Sequence, residues 1–87
     1  MMQFDEYLRE LNEGISALAP VERFESGERS AAWTTRERTV NLALVPPMNV
    51  SVTLDGTNGQ PVTTWYPIDR ATVSIVSRRI AGFLSEA

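Results

Sequence analysis

Residues 39–55 read Thr-Val-Asn-Leu-Ala-Leu-Val-Pro-Pro-Met-Asn-Val-Ser-Val-Thr-Leu-Asp. In the first half Val40, Leu42 and Leu44 alternate with Thr39, Asn41 and Ala43. In the second, Val50, Val52 and Leu54 alternate with Asn49, Ser51 and Thr53. A period of two gives a strand one apolar and one polar face, so each half reads as a half-buried strand. Val45-Pro46-Pro47-Met48 cannot continue a ladder, because proline has no N–H to donate. It therefore reads as the hairpin connection, and the two halves fold back on each other.

The same period extends outward in both directions. Downstream, Asp55-Gly56 and Asn58-Gly59 mark a second turn, since Gly and Asn accept positive φ. Val62-Thr63-Thr64-Trp65-Tyr66, rich in aromatic and β-branched residues, follows as a third strand. Upstream, Val21–Glu25 and Ala31–Thr35 are placed to pair across a loop containing Ser26-Gly27. Arg36-Glu37-Arg38 interrupts the alternation before Val40, as a bulge in one long strand or as a turn; the turn is favoured. The expectation is an antiparallel meander of four to five strands.

Both flanks change to a helical period. Phe4, Leu8, Leu11, Ile15 and Leu18 advance by four, three, four and three, within an arc of about 80°. Pro20 ends this segment by pushing its predecessor out of the α region, which predicts a helix over about 3–18. Gly14 sits inside it at a cost of up to about 1 kcal/mol relative to Ala. At the other end Val73, Val76, Ile80, Phe83 and Leu84 fall within roughly 100°, with Asp69 as N-cap, predicting a helix over about 70–85. Two amphipathic helices and a one-sided sheet fit best as a single α+β domain over 1–87. The expected form is a two-layer sandwich with both helices on one face of the sheet.

Composition narrows the chemistry. With 43% hydrophobic and 22% charged residues, the 87-residue chain lies outside the disordered class. There is no Cys and no His, which excludes disulfides, thiolate sites and Ser–His or Cys–His nucleophilic machinery. Walker-type and dinucleotide-binding glycine patterns are absent, and Asp55 with Asn58 falls short of a calcium-loop spacing. No catalytic residue, cofactor or metal is expected.

The eight basic residues are all Arg, against eleven acids, for a net charge of −3. Residues 1–28 hold seven of those acids with Arg9 and Arg23, a local charge of −5, while the rest carries +2. A pI near 4.8 argues against nucleic acid as partner, although Arg36, Arg38, Arg70, Arg78 and Arg79 would be the basic patch and Trp33 and Trp65 the stacking residues. The N-terminal sequence lacks the pattern of a secretory signal, and no apolar run approaches the ~20 residues that span a bilayer. A cytoplasmic protein with no membrane association is expected.

Three features point to recognition of another protein. Ile75 projects about 160° from the apolar stripe of the second helix, with Ile68, Ala71 and Gly82 in nearly the same direction and Arg78 and Arg79 flanking. Trp65 and Tyr66 are adjacent on one strand, so one of them must face outward among Thr and Ser. Met48 stands at an apolar hairpin tip. The expected function is a small non-enzymatic protein-binding domain, a homodimer or a subunit of a larger assembly. It would act through Ile75, Arg78, Arg79, Trp65 and Met48. An inhibitor of phage or mobile-element type, using the acidic line Asp5, Glu6, Glu10 and Glu13 against a host protein, is the alternative; a small-ligand binder or enzyme comes third.

Overall fold

A computed structural model describes residues 2–56 and 59–86. Helix α1 (Phe4–Leu18) is followed by strands β1 (Arg23–Ser26), β2 (Ser30–Thr34), β3 (Thr39–Val45), β4 (Asn49–Asp55) and β5 (Val62–Pro67), then by helix α2 (Arg70–Ser85). The strands form one antiparallel meander in sequential order, β1-β2-β3-β4-β5. Five strands form because residues 35–38 make a turn, closed by Thr35 N–H on the Arg38 carbonyl at 2.9 Å. Pro46, Pro47 and Met48 connect β3 to β4, with the Pro46–Pro47 peptide cis. Of the β4–β5 turn, Asn58 lies outside the described residues, while Gly59 takes φ +101°.

The register turns alternation into a core. Val40 pairs with Leu54, Leu42 with Val52 and Leu44 with Val50, so the apolar positions of the two central strands stack on one side of the sheet. Trp33 and Ala31 on β2 continue those rows, since they pair with Val40 and Leu42. These side chains share a single buried cluster with Tyr7, Leu8, Leu11 and Ile15 of α1 and Val76, Ile80, Ala81 and Leu84 of α2. Trp33 is fully buried at its centre, stacked on Phe24 at 5.2 Å, and its indole N–H donates to Asn12 Oδ1 at 3.1 Å.

The helices lie against each other with their contacts advancing in the same direction. Arg70 at the start of α2 meets Glu6 and Glu10, Thr72 meets Tyr7, and Ser77 meets Gly14. This neighbour adds Tyr7 to the buried face of α1 and turns the buried face of α2 toward Ser77 and Ala81. On α1, Tyr7 is buried and Leu18, the last residue of the helix, is exposed; on α2, Ser77 and Ala81 are buried while Val73 and Phe83 are half-buried. Small residues occupy the seam because the backbones come close there. A Cβ on Gly14 would stand 2.7 Å from Ser77 Oγ, which explains a glycine in mid-helix.

Tyr7 closes the top of the seam. Its hydroxyl lies 2.7 Å from Thr72 Oγ1, which is also within reach of the Pro67 and Asp69 carbonyls. Burial pushes the phenol above its ordinary range, the Thr72 hydrogen bond opposes this, and Tyr66 and Asp69 add to the rise. A folded-state pKa above the unfolded value of about 10 favours the neutral phenol. The stabilisation it gives is complete below pH ~10 and disappears as pH climbs through the folded pKa. Urea titrations between pH 8 and 11.5 should show stability falling in the alkaline limb. In Tyr7→Phe that fall should be shallower, at a cost near neutrality of about 1 kcal/mol for the lost hydrogen bond. A Tyr7→Phe profile parallel to that of the parent would exclude Tyr7 as the responsible group.

Candidate functional site

Asp69 starts α2 as an N-cap, its carboxylate accepting the Ala71 N–H at 3.1 Å. From that start, a period of 3.6 residues aims Ala71, Ile75, Arg78, Arg79 and Gly82 away from the buried cluster, and all five are exposed. Ile75 is 58% exposed, a large aliphatic side chain left in water. Gly82 has open space where a side chain would stand. Among the described residues no acid lies within ion-pairing distance of Arg78 or Arg79.

Ile68 does not belong to this strip. It precedes the N-cap, so the helical phase does not extend to it; it is buried in the core, and its N–H bonds the Met48 carbonyl at 2.7 Å as a continuation of the β4–β5 ladder. Met48 itself is half-buried.

The register also decides the aromatic pair. Tyr66 lies opposite Val50 and packs half-buried on the core, so its neighbour Trp65 faces the other way, opposite Ser51. Trp65 is 63% exposed. Beside it the Thr63 and Thr53 hydroxyls hydrogen-bond at 2.9 Å, and this sheet face continues as Asn41, Ala43, Ala32 and Thr34 across β3 and β2. None of the α2 strip residues pairs with this face.

The five Arg of the basic set do not act together. Arg38 turns inward to donate to the Phe83 carbonyl at 2.7 Å and to Glu86 at 2.9 Å, with its guanidinium 5.0 Å from the centre of the Phe83 ring. It ties the β2–β3 turn to the end of α2. Arg70 is held by Glu6 and Glu10, an arrangement that also engages two of the four carboxylates in the acidic line of α1. Another of those four, Asp5, accepts the Glu6 N–H at 2.9 Å. Nothing local in the sequence marks Arg38 as a clamp, because its partners lie 45 and 48 residues away.

Among the described residues no group of three or more acids is placed to hold a metal ion, and no helix is long and apolar enough to cross a membrane. The open depression at the start of α2, lined by Met2, Glu6, Ile68, Asp69 and Arg70, has its cation already paired with Glu6. No protein-family model, curated protein or solved structure matches the chain.

Proposed function

We propose that this chain is a small non-enzymatic protein-binding domain that engages a protein partner through the outward face of α2, with the outer sheet face around Trp65 as a second contact. The observation that carries the reading is Ile75. An aliphatic anchor stands in water with exposed Arg78 and Arg79 one turn further along the helix, and Ala71 and Gly82 leave the helix backbone open to close approach. Interfaces combine an apolar centre with Arg at its rim, and a few such residues supply most of the binding energy. The reading includes the cytoplasmic setting expected from the sequence.

The test separates binding from folding. Ile75→Asp changes an exposed position, so its stability should stay within about 0.5 kcal/mol of the parent. A photo-crosslinking residue at position 75 should label one partner in native lysate, and Ile75→Asp should weaken capture of that same partner by at least about tenfold. A stable Ile75→Asp chain that captures the partner undiminished would remove α2 from the interface.

A further inference from the structure

The two edges of the sheet are built differently. The β1 edge is four residues long and carries the Arg23–Glu25 ion pair, the kind of short charged strand that discourages further pairing. The β5 edge is six residues, Val-Thr-Thr-Trp-Tyr-Pro, with no charge at all. Val62 is 50% exposed although it sits on the core side of the sheet, and Trp65 is exposed on the other. Among the described residues β5 pairs with β4 alone.

The ladder shows which backbone groups are open. Ile68 bonds Met48, and antiparallel pairs alternate, so Tyr66, Thr64 and Val62 direct their N–H and C=O groups to β4. Thr63 and Trp65 direct theirs off the sheet. Pro67 falls in the same outward phase, which is why a proline is accommodated inside this strand. Pro61, the residue before the strand, falls in that phase by count at the other end. The open edge thus has two residues able to pair and a proline closing each side, symmetrically about Thr64.

We infer that β5 pairs with β5 of a second copy of this chain, antiparallel and centred on Thr64, joining two sheets into one of ten strands. The occupant is a second copy because the edge complements itself. In this register Thr63 lies opposite Trp65 of the other copy, making about four hydrogen bonds through the open groups. Val62 meets Tyr66, covering the exposed valine with a half-buried ring, and Pro61 meets Pro67, where pairing stops. No charge opposes a charge anywhere along the seam. The inference does not rest on α2, so Ile75→Asp is expected to leave the dimer intact, and failure of either interface is visible separately.

The register gives a direct test. Centring on Thr64 brings its Cα within about 4.5 Å of its symmetry mate, inside the range a disulfide bridges. Thr63 would lie roughly 8 Å from its own mate at a rise of ~3.4 Å per residue, beyond that range. The chain has no native Cys, so Thr64→Cys and Thr63→Cys each carry a single thiol. Under mild oxidation Thr64→Cys should form a covalent dimer at least about tenfold faster than Thr63→Cys. Sedimentation of the unmodified chain from low micromolar to submillimolar concentration should show a reversible dimer. Thr63→Pro removes an outward N–H and the Thr63–Thr53 hydroxyl contact but no backbone hydrogen bond to β4, and should weaken that dimer about tenfold or more with an unchanged far-ultraviolet spectrum. A monomer across the whole concentration range would overturn the inference, as would equal crosslinking rates for the two cysteine variants. A monomer that accepts an extended peptide on this edge would overturn a second copy as the occupant.

Discussion

Trp33→Ala should cost about 3–5 kcal/mol of stability at 25 °C. Three losses coincide at this position. The fully buried indole leaves a cavity between β2 and α1 that neighbours from two different layers would have to close together. Its stacking partner Phe24, on the short β1 strand, loses the ring that holds that strand on the core. Asn12 Oδ1, half-buried on α1, loses the indole N–H. A domain of this length has a total stability of only ~4–13 kcal/mol at about 0.05–0.15 kcal/mol per residue, so a loss of this size removes about a quarter of it or more. Trp33→Phe separates the contributions, because it keeps a ring against Phe24 and removes the N–H; its cost should be about half that of Ala or less. Urea denaturation followed by circular dichroism measures both. Fluorescence adds a local probe, since Trp65 is exposed in the folded chain and the change on unfolding reports chiefly on Trp33. A Trp33→Ala chain within about 1 kcal/mol of the parent would mean that the core does not centre on this indole.

How legible the fold was depends on the range of the interaction concerned. The β3–β4 hairpin follows from Val40, Leu42 and Leu44 against Val50, Val52 and Leu54, because alternation and a proline-bearing connection are local signals that the ladder then satisfies. The helix limits follow from Pro20 and Asp69 for the same reason. What periodicity does not encode is where along a helix its neighbours lie. Tyr7 and Leu18 stand about 20° apart on α1 at 3.6 residues per turn, yet Tyr7 is buried and Leu18 is not, because Tyr7 meets Thr72 of α2 through its hydroxyl while Leu18 is the last residue of the helix. A helical phase does not reach Ile68, which precedes the Asp69 N-cap and belongs to the core instead. The exposure of Ile75 was legible from phase alone. The choice between Trp65 and Tyr66 needed the pairing partner on β4, and the uncharged edge at β5 acquires meaning only once that strand is known to be outermost.

Gly14→Leu should separate the two helices and destabilise the chain by about 3 kcal/mol or more, and Gly14→Ala settles the cause. Two effects oppose each other at this site. Replacing glycine by alanine in mid-helix gains about 0.5–1 kcal/mol, since a methyl group restricts the unfolded chain. Against this, the new Cβ would stand 2.7 Å from Ser77 Oγ and 3.0 Å from Ser77 Cβ. The hydroxyl can rotate away, but the Cβ moves only with the α2 backbone, and overpacking of this kind costs about 1–3 kcal/mol. The steric effect is the larger, so Gly14→Ala should lower stability. Ser77 supplies the control. Its buried Oγ has no hydrogen-bond partner, so Ser77→Ala removes an unsatisfied polar atom and should be neutral or stabilising. Ser77→Gly removes the obstructing Cβ as well. In that background Gly14→Ala should change sign and stabilise, because its helix-favouring effect is no longer opposed. The coupling between positions 14 and 77 should therefore exceed about 1 kcal/mol in a double-mutant cycle by thermal or urea denaturation. If Gly14→Ala raises stability equally in both backgrounds, the glycine is not needed for helix contact, and the close approach of α1 to α2 is wrong.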